Sequence, residues 1–259
     1  MASVTETDLR SRTIRSLVWR FFEQGGSAII QLVVQVVMAR LLTPSEFGAL
    51  AIMLVFVNVG NVVVQSGLNT AIIQAPDVTD EDFDTVFWMS LAISLMLYLA
   101  VFAGAPVIGD FYGLPFLVTP LRVLVLVLVV NAYNAIQEAI VARGFDFQKT
   151  FRSTVVAAVV SGALGVGCAL MGGGLWALVI QQLSYQVTKC LSLAVQIPWK
   201  PRPAFRRGRA RVLFGFGWKL LASGVLDQLS QSVSDLIIGR VFASGELGLV
   251  SQGKKYPQQ

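Results

Sequence analysis

Residues 86–108 read VFWMSLAISLMLYLAVFAGAPVI, and no charged side chain interrupts them. At about 1.5 Å per residue, a helix of that length crosses the roughly 30 Å hydrocarbon core of a bilayer. Similar apolar runs recur on either side of it. They predict helices at 16–41, 47–73, 84–108, 118–142, 151–172, 174–197 and 212–242, joined by short polar segments. The composition agrees, with 55% hydrophobic and 14% charged residues, against about 25% charged in an average soluble domain. The runs are continuous, whereas outer-membrane strands alternate with period two over about 10 residues. The expected fold is therefore an all-α, polytopic transmembrane bundle. It divides into a six-helix lobe at 1–200 and, at 201–259, a basic linker with the first helix of a second lobe.

The net charge of +5 does not mark a nucleic-acid face, because the cations sit in the segments between apolar runs. Arg10, Arg12 and Arg15, then Arg143, Lys149 and Arg152, then Lys200, Arg202, Arg206, Arg207, Arg209 and Arg211 fall on one side. Arg40, Arg122 and Arg240 fall on the other. By the positive-inside rule this places the N-terminus in the cytoplasm. There is no short apolar core with a small-residue cleavage site, so no removable signal peptide is expected. Cys168 and Cys190 lie in apolar runs and read as small buried residues. The chain has no histidine, which removes the commonest general base and a common metal ligand. No metal and no cofactor is expected.

A shift of 200 residues brings residues 39–48 onto 239–248. Arg40 meets Arg240, Glu46 meets Glu246 and Gly48 meets Gly248. Upstream, Ser27, Gln31 and Gln35 meet Asp227, Gln231 and Asp235. The seventh helix thus reads as a second copy of the first. An even number of intervening spans makes the two copies parallel repeats. A repeat restarting near 212 should continue well beyond Gln259, so the sequence reads as a truncated piece of a longer two-lobed protein.

Polar residues in hydrocarbon are costly, which makes their placement informative. The first helix carries Glu23, Ser27, Gln31 and Gln35; the second carries Asn58, Asn61, Gln65 and Asn69 on one face. Asn131, Asn134 and Glu138 share a face of the fourth, and Gln182, Tyr185 and Lys189 a face of the sixth. The seventh carries Lys219, Ser223, Asp227, Gln231 and Asp235. Such stripes line a water-filled cavity or bond helix to helix; the intramembrane charges Glu23, Lys189, Lys219 and Asp227 favour an ion or substrate path. Gly162, Gly165, Gly167 and Gly172 to Gly174 suit close helix packing or a tight turn. The acidic run 77–84 lacks the spacing of an EF-hand loop. A helix start capped by Thr79 or Asp80 therefore accounts for it better than calcium. Around Pro44, Thr43 or Ser45 caps the second helix, with Glu46 in its first turn.

Arg40-Leu-Leu-Thr-Pro-Ser-Glu-Phe-Gly48 resembles the loop after the first helix in polysaccharide-precursor flippases of the multidrug/oligosaccharidyl-lipid/polysaccharide superfamily. Gly67-Leu-Asn-Thr-Ala-Ile-Ile-Gln74, Phe87-Trp88, Phe111-Tyr112, Ala142-Arg143-Gly-Phe-Asp-Phe147 and Gly174-Leu-Trp-Ala177 are similar to its capsule and exopolysaccharide branch. The resemblance implies a two-lobed transporter with a central cavity. It would move an undecaprenyl-diphosphate-linked oligosaccharide across the inner membrane by alternating access, coupled to an H+ or Na+ gradient. In that frame Lys189 and Lys219 would face anionic substrate groups. Gln31, Asn61, Gln65, Asn134, Gln182 and Tyr185 would line the cavity, and Glu23, Glu138 and Asp227 would couple the ion. These residues are chosen on burial and charge sign, since the family has no motif that fixes its cavity. Without its second lobe, the chain alone is not expected to flip a substrate. Rival readings are a drug or cation antiporter of the same superfamily, an integral-membrane polymerase or ligase, and an inactive fragment. An enzyme of that kind would carry a large outer loop with catalytic arginines or histidine, whereas here the longest loop is the basic one at 198–211.

Overall fold

The computed structural model describes residues 26–65, 68–75, 78–144 and 146–203, and beyond these 206, 208–210, 215, 218, 221–228 and 230. The described residues form a multi-spanning all-α bundle. In chain order the helices are α1 (Gly26–Leu41), α2 (Pro44–Gln65), α3 (Leu68–Gln74), α4 (Asp80–Tyr112), α5 (Val118–Leu124), α6 (Val127–Gly144), α7 (Phe147–Leu170) and α8 (Leu175–Gln196). Among the described residues, four stretches are long and apolar enough to cross a membrane: Pro44–Ile73, Asp80–Tyr112, Pro115–Gly144 and Phe147–Leu170. α8 has the length, but Gln181, Gln182, Gln186 and Lys189 lower its hydropathy. The start of the first expected helix and most of the seventh lie outside the described residues, as does the repeated segment 239–248. Residues 221–228 are helical.

The helix ends follow local chemistry. The N–H of Thr43 donates to Glu46 Oε2 at 2.7 Å and its hydroxyl donates to the same oxygen at 3.0 Å. Pro44, which lacks an N–H to satisfy, opens α2. α4 starts four residues earlier than the apolar run suggests. Thr79 and Asp82 form a reciprocal capping box, and three acids occupy the first turn, where the helix dipole favours them. It ends at Gly113, which sits in the left-handed region at φ 66°. Pro106 lies inside α4 and has no N–H for the carbonyl of Phe102 four residues back. Arg122 Nε of α5 donates to that carbonyl at 3.2 Å, and its guanidinium lies 4.3 Å from the Phe102 ring centre. A neighbouring helix thus satisfies the group that proline frees, as lipid cannot.

α6 lies inside the bundle, packed against α2, α3, α4, α7 and α8. α4 is outermost: only 11% of its apolar window is buried by protein. Met96 and Val107 on α4, Leu170 on α7 and Val195 on α8 are exposed, on surfaces that a bilayer would cover. The main core joins Met38 of α1, Phe47, Ile52 and Met53 of α2, Leu121 and Leu124 of α5, and Leu128 of α6.

α7 and α8 form a tight antiparallel hairpin, turned at Gly172 (φ 80°) and Gly174 (φ 52°). A methyl group at Gly165 of α7 would lie 2.9 Å from Cβ of Gln181 on α8 and 3.4 Å from the carbonyl oxygen of Ala177. Nothing lies within 4 Å of the same position at Gly167. Gly165→Ala is therefore expected to destabilise the protein by about 1–3 kcal/mol through overpacking. Gly167→Ala should stay within about 0.5 kcal/mol of wild type. Thermal unfolding in a single detergent compares the two.

Candidate functional site

Polar side chains inside the bundle form two groups. The first is a seam along α6. Asn131 Nδ2 donates to Asn61 Oδ1 of α2 at 2.7 Å. Asn134 Nδ2 donates to the Gln186 carbonyl of α8 at 3.3 Å, and Gln137 Nε2 donates to the Cys190 carbonyl at 3.3 Å. Beside that bond, Lys189 Nζ meets Glu138 Oε1 at 2.6 Å, with side-chain exposures of 16% and 34%. Amides and an ion pair thus bond α2, α6 and α8 together, as polar groups do between helices in lipid. Within the seam, Asn134 Oδ1 and Gln137 Oε1 are buried and have no partner among the described residues.

The second group surrounds a cavity of about 190 Å³ between α1, α2, α7 and α8. Gln31 and Gln35 face it from α1, Ser161 from α7, and Gln181, Gln182, Tyr185 and Gln186 from α8; Val34, Met38, Phe47, Leu50, Ala158 and Leu178 complete its wall. It reaches from the middle of α8 toward the α1–α2 turn. No lining residue carries a charge. Amide side chains both donate and accept, so the wall can bond neutral groups such as sugar hydroxyls or water, with tyrosine as a ring surface.

Of the residues expected from sequence, the cavity brings together Gln31, Gln182 and Tyr185. Asn61, Asn134, Glu138 and Lys189 stand in the seam, where Lys189 is paired rather than presented to the cavity. Gln65, at the end of α2, and Asp227, exposed on the 221–228 helix, line neither cavity. Glu23 and Lys219 lie outside the described residues. Sequence reading named Gln35 in a stripe without assigning it to the site, and missed Gln181, Gln186 and Ser161. Gln181 and Gln186 continue the face of Gln182 and Tyr185 at helical spacing, which was the available signal.

A second cavity, of about 470 Å³, lies at the end of α4 under residues 197–202. Asp80, Phe83, Asp84, Ile140, Ile197, Pro198, Trp199, Lys200 and Arg202 line it. Here the acidic run serves the basic linker: the guanidinium of Arg209 donates to both oxygens of Asp82, at 3.0 and 2.9 Å. Among the described residues, no cluster of histidine, cysteine, aspartate or glutamate could hold a metal ion.

The family model of polysaccharide biosynthesis proteins matches residues 37–259. The chain is 24% identical over 253 residues to the succinoglycan biosynthesis transport protein ExoT of Rhizobium meliloti, covering 98% of this chain and 51% of that protein. It is 23% identical to the lipopolysaccharide biosynthesis protein WzxC of Escherichia coli, with 93% and 49% covered. It is 25% identical to the teichuronic acid biosynthesis protein TuaB of Bacillus subtilis, with 89% and 48% covered. The chain thus spans about half the length of these curated relatives. No solved structure matches it.

The seam predicts a coupling that a double-mutant cycle can read. Lys189→Met should cost about 1–3 kcal/mol of stability. That is less than the loss of a fully buried partner, because Glu138 is a third exposed. Adding Glu138→Gln should recover most of the loss. Additive losses would mean that the two side chains act independently.

Proposed function

The chain belongs to the polysaccharide biosynthesis protein family, and from that premise we propose that it is the N-terminal lobe of a lipid-linked oligosaccharide flippase. The cargo is an undecaprenyl-diphosphate-linked repeat unit, moved from the cytoplasmic to the outer leaflet by alternating access. Residues 1–200 supply six spans, with α2 and α3 forming one and α5 and α6 another, and residues 201–259 supply a linker and the first helix of the second lobe. The basic segments face the cytoplasm, with the N-terminus inside.

The observation that carries this reading is the amide-lined cavity. Five glutamines, one tyrosine and one serine surround it, half-way along helices whose other faces are apolar. Uncharged donors and acceptors at that depth are costly unless they bond a neighbouring helix, a ligand or water. Their chemistry fits the hydroxyls of a sugar chain. Substrate sites of two-lobed carriers lie near the bilayer midplane where lobes meet, and the relatives include a protein named for succinoglycan transport. The Lys189–Glu138 pair is our candidate for ion coupling by H+ or Na+, since either ion at Glu138 would release the lysine. Glu23 and Asp227 are further candidates, and Lys219 is the second candidate cation for the diphosphate.

Depleting the intact gene should leave lipid-linked repeat units on the cytoplasmic leaflet of inner-membrane vesicles and reduce surface polysaccharide. A normal distribution with normal surface glycan would overturn the flippase reading. In the full-length protein, Gln182→Leu removes amide bonds of about 0.5–1.5 kcal/mol each. Export should then fall several-fold at unchanged protein level, whereas wild-type export in that variant and in Gln35→Leu would remove the cavity from the substrate path.

A further inference from the structure

After α8 the described residues 198–203, 206 and 208–210 lie along the first turns of α4, held at four places. The Trp199 ring packs against Phe87 and Tyr133, with centroids 5.9 and 5.7 Å apart. The N–H of Arg202 donates to Asp84 Oδ1 at 3.1 Å, and its carbonyl accepts from Trp88 Nε1 at 2.9 Å. The N–H of Arg206 donates to Thr85 Oγ1 at 3.2 Å, and its guanidinium pairs with Glu81. Arg209 closes the run with its two bonds to Asp82.

The two central acids give these contacts their weight. Asp82 and Asp84 are each only 1% exposed. A buried carboxylate without a partner is strongly unfavourable, while a bidentate guanidinium answers it in geometry and charge. Asp82 also bonds the N–H and hydroxyl of Thr79, so one carboxylate both starts α4 and holds the linker. The partners are 114 to 127 residues apart in sequence. Basic residues here therefore do more than mark the inner side of a membrane.

We propose that residues 198–210 are a strap clasped to this lobe by Asp82–Arg209 and Asp84–Arg202, so that the lobe's rigid body extends to Ala210 rather than ending at α8. In a two-lobed carrier, which rests on the flippase reading above, the hinge between lobes then lies past Ala210. The strap carries lobe movement to that point without slack.

Hydrogen–deuterium exchange on the chain in nanodiscs tests the clasp independently of any transport. The hydrogen-bonded amides of Arg202, Arg206 and Ala210 are expected to exchange slowly in wild type. Arg209→Gln, a change at a half-exposed side chain that leaves the Thr79 cap untouched, should speed them about tenfold or more. Asp84→Ala, which removes the acceptor of the Arg202 N–H, should do the same nearest residue 202, with α7 and α8 unchanged as the control for folding. The double variant Asp82→Asn/Arg209→Gln should be no faster than the worse single variant, because both remove one interaction. Fast exchange at all three of these amides in wild type, or wild-type protection in Arg209→Gln, would overturn the strap. Normal leaflet distribution of lipid-linked glycan on depletion of the gene would instead overturn the flippase reading and leave the clasp standing.

Discussion

Within hydrocarbon a helix gains little by packing leucine on leucine, since lipid tails are equally apolar, so specific association depends on close packing and on polar groups that must find partners. The buried face of α6 supplies those groups. Asn131, Asn134, Gln137 and Glu138 engage α2 and α8 through side-chain and backbone acceptors. Those bonds set how α2 and α8 stand relative to each other, and the amide-lined cavity opens between α8 and α1 on the other side of that arrangement. Wherever the seam shifts, the glutamines of α8 shift with it. The same constraint explains Arg122, whose guanidinium answers the carbonyl that Pro106 frees on a neighbouring helix.

The sequence made the fold class legible because lipid imposes a length and a composition on every span. It also gave the polar face of each helix, since helical periodicity is a local property. It could not say what each face meets. Lys189 and Glu138 lie 51 residues apart, and nothing in either stripe distinguishes two charges that pair from two that face a cavity. α4 begins before its apolar run because capping by Thr79 and Asp82 overrides hydropathy at the helix start. The 118–142 span is interrupted near residue 125, where the α-helical pattern lapses between α5 and α6. No proline or glycine occupies that break, so no punctuation in the sequence announced it. The acidic run shows the limit most clearly: its capping role was local and readable, while its hold on Arg209 depends on the path of the chain after α8.

The two ends of the bundle are finished differently. At one end the connections are tight backbone turns: Leu42 and Thr43 between α1 and α2, and the glycine turn before α8. These two turns touch, since a methyl group at Gly174 would lie 2.5 Å from Glu46 Oε1. The glutamate that caps α2 thereby limits residue 174 to glycine twice over, by space and by its positive φ. At the other end, side chains do the closing. Arg143 Nη1 donates to the carbonyls of Ile72, Ile73 and Ala75, covering the C-terminus of α3, and the strap covers the start of α4. Compact backbone turns have few alternative arrangements. Charged side chains on an accessible face can exchange partners, with water or with another part of a longer chain.

That difference bears on how a lobe of this kind could work beside a second one. The cavity wall shows no net charge, and the lysine nearest to it is neutralised by Glu138. Attraction of an anionic group to this lobe would therefore require either release of that pair or cations contributed from elsewhere. Glu138 is a third exposed while Lys189 is mostly enclosed, so the carboxylate is the more accessible member of the pair. Once Glu138 is neutralised, Lys189 would lose its carboxylate partner in a low-dielectric setting, which is unfavourable. The amide wall is one turn away along α8, and an anion held there would answer that charge. Ion arrival and substrate binding would then favour the same state of the lobe, which is the linkage that a coupled carrier requires.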